Sequence, residues 1–352
     1  MLEVWPKAHI YTSMYLPQFL GPHRNRVEKW DIRTSFLQYI PMKGKLISPF
    51  RFVAPWIFKT FDLSSYDLVI VSAAGTYTNP NFVKVGDNAL HVCYCHTPPR
   101  YLYGYPTAVP WDKVWWRKLL LFFGRLPMHF IRMADYHSAQ RPDYFIANSK
   151  EVASRIDKFY RRKAIVIYPP IDIKEAKKHE SIKKGKYYLA GGRLARAKRP
   201  ELAVEACTKL KKQLIVFGRE FGGYGEELRK IAGDTVDFEG EVSDHKKWEL
   251  MAKAKAFIFP AELEDFGITP VEAMAAGTPV IAYKSGGVTE TVIEGKTGTF
   301  FNNPDVKSVM DSIRRFEKMN IKKEDCIAQA NKFSDDRFKD EMKMFVKKHV
   351  KK

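Results

Sequence analysis

The sequence predicts an α/β protein built from two doubly wound, parallel-sheet domains. Three observations carry this. The chain has 352 residues, which suits two α/β cores of roughly 150–170 residues each. Short continuous apolar runs alternate along it with helical stretches, the pattern of parallel strands buried on both faces. A proline pair, Pro169-Pro170, breaks that alternation near the middle.

Strands are expected at Ala8–Thr12, Asp67–Ser72, Ala89–Cys95, Tyr144–Ala147 and Ala164–Ile167 in the first half. In the second they are expected at Tyr187–Ala190, Gln213–Phe217, Val236–Phe238, Ala256–Phe259 and Val280–Tyr283. Each is short, and most are apolar throughout rather than alternating. Helices are expected at Glu201–Lys211, Glu226–Ala232, Asp244–Ala254 and Pro270–Ala276, and a last one over Asp335–Val350 with Phe338, Met342, Phe345 and Val346 on one face. Proline restricts its own φ and the residue before it. Pro169-Pro170 and the charged run Lys174 to Lys186 therefore read as a linker. The domains expected are 1–170 and 171–335, with 336–352 as a terminal helix.

Apolar residues make up 45% of the chain and charged residues 28%, a balance that folds and does not stay disordered. The four cysteines, Cys93, Cys95, Cys207 and Cys326, fit no disulfide framework and no metal-ligand spacing. Cys93 and Cys95 share one face of a strand-like run, which suits buried thiols in a reducing cytosol. No stretch at the start reads as a signal peptide, and apolar runs such as Leu119 to Phe123 fall far short of the roughly 20 residues of a membrane span. The net charge of +19 favours an anionic partner without choosing between nucleic acid, acidic lipid and phosphorylated substrate. No zinc-finger, helix-turn-helix or RNP-like run accompanies it, so nucleic acid is not expected. No strict G-x-G-x-x-G follows a strand with an acid placed for a ribose, which disfavours a dehydrogenase.

Chemistry concentrates in the second half. Glu264-Asp-Phe-Gly-Ile-Thr-Pro-Val-Glu272 follows the strand Ala256–Phe259. Loops of this kind, feeding a helix N-terminus, are where open parallel sheets bind ligands. Gly267 permits close backbone approach, and Pro270 suits the helix's first turn. Taken alone, the two glutamates fit a solvated surface loop equally well. Gly191-Gly192-Arg193, then Arg196, Lys198, Arg199 and Pro200, ends an earlier strand. Glycines, then cations, then a helix start make a diphosphate cradle, with Arg193 as a bidentate fork and Lys198 as a point charge. Taken alone, this is also an ordinary basic loop. Glycine turns at Gly218 and at Gly286-Gly287 follow two further strands. In a doubly wound sheet all these loops open on one edge, and their joint order is the specific signal.

That order resembles glycosyltransferase family 4, the group 1 retaining enzymes of GT-B fold. The matching residues are Gly192, Arg193 and Lys198, Phe217-Gly218, Phe238-x-Gly240-x-Val242-Ser243, the Glu264…Glu272 pair, and Gly286-Gly287-x-x-Glu290. The resemblance implies two Rossmann-like domains facing a cleft, with the terminal helix packing back toward the first. It implies that Arg193 and Lys198 hold the donor pyrophosphate, and that Glu264, beside the Phe266-Gly267 backbone, meets the transferred sugar. Glu272 would bind the ribose, and Val242 would lie beside the base.

In the first half, Tyr94-Cys95-His96-Thr97-Pro98-Pro99-Arg100-Tyr101 resembles the mannosyltransferase-like branch. His96 would act near the sugar and acceptor, and Arg100 and Tyr101 would shape the acceptor side. A lone histidine at a strand end has a plain structural reading as well. Ser149 reads as a helix cap, and Lys150 as a cap neighbour before it reads as a site residue. The resemblance departs at the start. Family members open with a strand and a glycine-rich loop well before a segment like Leu2 to Tyr11, so that strand and loop are expected to be missing here.

The function so implied is transfer of a hexose, with mannose from GDP-mannose as first candidate, to a saccharide or lipid-linked acceptor in glycan assembly. No cofactor and no metal would be needed. The alternative is a degenerate, non-catalytic module that keeps affinity for a nucleotide sugar. Trp111 to Arg132 mixes aromatics, aliphatics and cations, interrupted by Gly124 and Pro127. It reads either as an interfacial segment or as a core-packed helix pair. With the basic charge, this admits a cytoplasmic protein held peripherally on an anionic inner leaflet.

Overall fold

Continuous apolar runs bury as parallel strands, and a computed structural model of the chain places strands at the runs the pattern marks. It describes residues 1–20, 24–41, 44, 47–75, 80–105 and 115–350. Among these, residues 1–105, 115–167 and 339–350 form one unit and residues 168–338 a second.

The first unit holds β1 (Ile10–Thr12), β2 (Ile32–Thr34), β3 (Asp62–Leu63), β4 (Leu68–Ala73), β5 (Lys84–Val85), β6 (Leu90–Cys95), β7 (Tyr144–Ala147) and β8 (Ala164–Val166). β4, β6, β7 and β8 make a parallel sheet in that order, while β1 pairs with β2 and β3 with β5. All six residues of β6 are buried, which is why that run carries no polar alternation. Cys93 and Cys95 pack against Phe145, Val152, Ile156 and Tyr160 as buried thiols outside any disulfide. Ser149 caps the helix Lys150–Tyr160 by accepting from the Val152 N–H at 3.0 Å.

The second unit holds β9 (Tyr188–Gly191), β10 (Leu214–Phe217), β11 (Val236–Gly240), β12 (Ala256–Phe259), β13 (Val280–Tyr283) and β14 (Gly298–Phe301). They form one parallel sheet in the order β11-β10-β9-β12-β13-β14. In chain order within the unit this is 3-2-1-4-5-6, the doubly wound arrangement whose order reverses between its first and fourth strands. One core cluster joins residues of helices Asp244–Lys253, Ile268–Ala275 and Lys323–Asn331. The other joins residues of Pro200–Leu210, Tyr224–Ile231 and Val306–Phe316. The last helix, Asp335–His349, buries Phe338, Met342, Phe345 and Val346 as its periodicity requires. Its later turns belong with the first unit, where Phe345 meets the Tyr144 ring edge at 5.7 Å and Lys339 pairs with Glu3 at 2.6 Å.

Several expectations need correction. The charged run Lys174 to Lys186 is not an open linker. Asp172 caps a short helix, Ile173–Lys177, by accepting from the Glu175 N–H, and Ile171 and Ala176 are buried in the second unit's core. The charges hide an apolar residue every few positions. Strands β2, β3, β5 and β14 carry too few consecutive apolar residues to be marked by pattern. Gly124 and Pro127 do not divide the segment from Trp111 to Arg132 into a helix pair: Trp115–Ala139 is one helix with Pro127 inside it, since one proline removes only one backbone bond. The rest of that segment, 111–114, lies outside the described residues. Among the described residues no helix is long and apolar enough to cross a membrane.

Candidate active site

The order reversal between β9 and β12 leaves a crevice at their carboxyl ends, and the glycine and carboxylate loops lie there. β9 runs out at Gly191, and Gly192 turns at φ +114°. Its N–H donates to the Phe217 carbonyl at 3.1 Å, and the Gly218 N–H donates to the Gly240 carbonyl at 2.6 Å. These two bonds tie the ends of β9, β10 and β11 together. Gly218 has φ +130°, and a Cβ there would stand 1.6 Å from the Gly192 carbonyl oxygen, so only glycine lets the two turns stack.

Beyond Gly192, Leu194 and Ala195 are buried and pin the loop, while Arg193 is exposed. Arg196 does not serve the crevice: it pairs with Glu227 and lies over the Tyr224 ring. A single turn follows, then Arg199 in the left-handed region at φ +51°, then Pro200 as the first residue of its helix. This reversal sets Lys198 beside the cavity. The cavity, of about 330 Å³, is lined by Gly192, Arg193, Lys198, Phe259, Pro260 and Thr269, among others. It therefore has cations on the β9 side and a helix start on the β12 side.

The loop after β12 is held from behind by the turn after β13. Leu263 adopts φ +51°, and its N–H donates to Ser285 Oγ at 3.1 Å. A non-glycine residue in this region stores strain that its surroundings must hold. The Gly287 N–H donates to the Glu264 carbonyl at 2.8 Å, and a Cβ on Gly286 or Gly287 would meet the backbone of Glu264 or Asp265 at 2.4 Å. The Ser285-Gly286-Gly287 turn thus buttresses the loop that presents Glu264. The Phe266 ring is 2% exposed and packs against Tyr168 and Phe333, so only its backbone faces the loop. Gly267, at φ +88°, starts the helix Ile268–Ala275.

Both carboxylates of the pair rest on lysines. Lys198 Nζ donates to Glu264 Oε2, with the two side chains 29% and 15% exposed. Lys247 Nζ donates to Glu272 Oε1 at 2.8 Å and lies 3.6 Å from Asp244. Burial opposes charge on Lys247, yet Glu272 and Asp244 outweigh it and raise its pKa. Burial raises the Glu272 carboxyl, while Lys247 pulls the other way. Val242 is half-buried against the core, one residue before Ser243 caps the helix that carries Lys247.

In the first unit, His96 follows β6, and its Nε2 lies 3.0 Å from Ser72 Oγ. Thr97, Pro98 and Pro99 are buried. The buried Arg155 donates to Thr97 Oγ1 at 3.2 Å and carries the Tyr105 ring over its guanidinium. Gly75, at φ +70°, packs so closely that a Cβ would reach Thr97 at 2.9 Å. Arg100 and Tyr101 open a single turn and are half-buried. His96 and Ser72 thus meet at the carboxyl ends of neighbouring strands.

Among the expected donor-side residues, Gly192, Arg193 and Lys198 line one cavity, Glu264 joins them through Lys198, and Gly218 shapes the floor behind Gly192. Sequence reading marked the Ser285-Gly286-Gly287 turn but did not single out Thr269, Lys247, Ser72, Gly75 or Arg155. Only Lys247 left a signal, three residues after Asp244 at a helix start. Among the described residues no group of three or more histidines, cysteines or acids is placed to hold a metal ion.

The family model described as group 1 glycosyl transferases matches residues 172–333, which contain this whole loop set. Over those residues, just under half of the chain, the protein is similar to the group 1 glycosyl transferases. Alpha-1,3/1,6-mannosyltransferase ALG2 of Mus musculus is 27% identical over 297 residues, covering 73% of this chain and 68% of that protein. The lipopolysaccharide core biosynthesis mannosyltransferase LpsB of Rhizobium meliloti is 31% identical over 164 residues, 42% of this chain and 46% of that one. Sulfoquinovosyl transferase SQD2 of Arabidopsis thaliana is 33% identical, but the match spans only 25% of its length. The group 1 relatives therefore include mannosyltransferases, and several matches reach only part of the relative. Among solved structures, sucrose-phosphate synthase of Thermosynechococcus elongatus aligns with a TM-score of 0.67 at 19% identity, covering 90% of this chain and 82% of that one. Anabaena HepE in complex with UDP and glucose aligns with a TM-score of 0.61 at 17% identity, covering 93% and 89%. The fold is that of these GT-B glycosyltransferases: two Rossmann-like parallel-sheet domains.

Proposed function

We propose that this chain is a group 1 glycosyltransferase that moves a hexose, with mannose the first candidate, from a nucleoside-diphosphate sugar to a saccharide or lipid-linked saccharide, with retention of anomeric configuration. The observation that carries this reading is the cavity at the order reversal of the second sheet, where Arg193 and Lys198 stand together and Glu264 abuts Lys198. Departure of a nucleoside diphosphate builds negative charge on the leaving oxygen. Two fixed cations stabilise that charge without a metal ion. In this reading Glu264 accepts from sugar hydroxyls, and Glu272, on the helix that follows, from ribose hydroxyls. Mannose gains support from the mannosyltransferase relatives. A diphosphate donor gains support from HepE, whose structure holds UDP and glucose.

His96, Arg100 and Tyr101 remain the proposed acceptor-side residues. The net charge of +19 fits a cytoplasmic protein working peripherally at an anionic leaflet. Flotation with anionic vesicles at low salt tests that part, and no binding refutes it. The main test offers GDP- and UDP-linked hexoses with lipid-linked and soluble saccharide acceptors and follows release of the nucleoside diphosphate. One donor should turn over well above the rest. Binding of a donor with no turnover across the acceptors would instead favour a non-catalytic module.

A further inference from the structure

The cavity cation and the loop carboxylate neutralise each other when no ligand is present. Lys198 lines the cavity, and its Nζ donates to Glu264 Oε2. Arg193 lines the same cavity, and its side chain has no hydrogen-bond or ion-pair partner among the described residues. The two cations are therefore not equivalent: one is free for an anion, and one is already occupied. Glu264 cannot swing away cheaply. Its backbone is pinned by the Gly287 N–H, and its loop is clamped at Leu263 by Ser285. Its side chain is only 15% exposed, so losing the lysine leaves a poorly hydrated carboxylate that must find another donor.

Resting on the donor reading above, we infer that Glu264 is an internal counter-ion that couples diphosphate recognition to sugar recognition. A diphosphate entering the cavity takes Lys198. The released carboxylate is then satisfied only if a sugar hydroxyl donates to it. A donor supplies both partners. The nucleoside diphosphate left after transfer supplies only the phosphate, and stands beside an unpaired Glu264 that repels it. Glu264 thereby weakens product relative to donor and speeds clearance of the site. The Glu272–Lys247 pair serves as an internal contrast, since Lys247 is not among the cavity's lining residues and has no such exchange to make.

The test is equilibrium titration of GDP, UDP, GDP-mannose and UDP-glucose into the native chain and into Glu264→Gln, Lys198→Ala and the double variant. In Glu264→Gln the better-bound nucleoside diphosphate should bind about tenfold tighter, the worth of removing one nearby like charge, while its sugar-linked form gains little. In the Lys198→Ala background the same Glu264→Gln change should tighten binding by a smaller factor, since the like-charge repulsion remains but there is no lysine to compete for. Should Glu264→Gln fail to fold, Glu264→Asp, whose shorter arm reaches Lys198 less well, should tighten in the same sense by a smaller factor. Unchanged or weaker diphosphate binding in a folded Glu264 variant overturns the counter-ion and leaves the donor reading standing. Failure of all four nucleotides to bind the native chain and every variant overturns both.

Discussion

Lys247 Nζ donates to Glu272 Oε1 at 2.8 Å, so the second carboxylate of the Glu264…Glu272 pair rests on a lysine from the helix before β12. Glu272 is 17% exposed. Replacing Lys247 with Met leaves that carboxylate without its cation, at an expected cost of about 1–3 kcal/mol. Urea denaturation reads this directly, and adding Glu272→Gln should restore most of the loss. A Lys247→Met chain as stable as the native one would show that the pair contributes nothing to folding.

Gly218→Ala should damage the cavity floor from behind. Its Cβ would lie 1.6 Å from the Gly192 carbonyl oxygen, at φ +130°. The conformational penalty alone is about 1–2 kcal/mol for an L-residue, and the collision must also displace the Gly192 turn. The expected result is a lower unfolding midpoint together with weaker donor binding. Gly222→Ala is the control, because a Cβ there meets nothing within 4 Å, although its φ of +63° is also positive. Equal losses from both substitutions would refute the stacking of the two turns.

Acid should weaken the first unit through His91. This side chain is 4% exposed on β6, and burial pushes its pKa down to about 4, with Asp143 opposing and Arg141 adding to the shift. A base depressed in the folded state binds fewer protons there than in the unfolded chain. Stability is therefore full above the ordinary value of 6.5 and falls as pH drops from there toward about 4, by about 3 kcal/mol if the shift is fully expressed. His91→Gln should flatten that part of the pH profile in urea melts at pH 7 and pH 4.5. Identical pH dependence in the two proteins would contradict the assignment.

Legibility in the sequence followed burial. β6 and β12 are buried at every position, so their unbroken apolar runs announced them. β14 opens with Gly298 and Thr299, the latter bonded to Glu294 and Arg315, and that polar start hid it. The strand ends could be read because glycines mark places where backbones approach, as at Gly192 and Gly218. Their order along the chain pointed to a crevice before any coordinates. The side-chain pairings could not be read this way. Lys198 and Glu264 are 66 residues apart, and Arg155 reaches Thr97 across 58. No local pattern encodes such a meeting; the sheet order creates it. The charged run after Pro170 misled for the opposite reason, because its lysines are exposed while Ile171 and Ala176 carry the packing.

We propose that the crevice between β9 and β12 holds a sugar donor by its diphosphate. Lys198→Ala tests it most directly, with turnover of the preferred nucleotide sugar measured beside the unfolding midpoint. Turnover should fall at least about 100-fold, the scale for removing one charge-stabilising group from a transition state, while the midpoint shifts by only a few degrees. Undiminished turnover in a folded Lys198→Ala chain would contradict the claim.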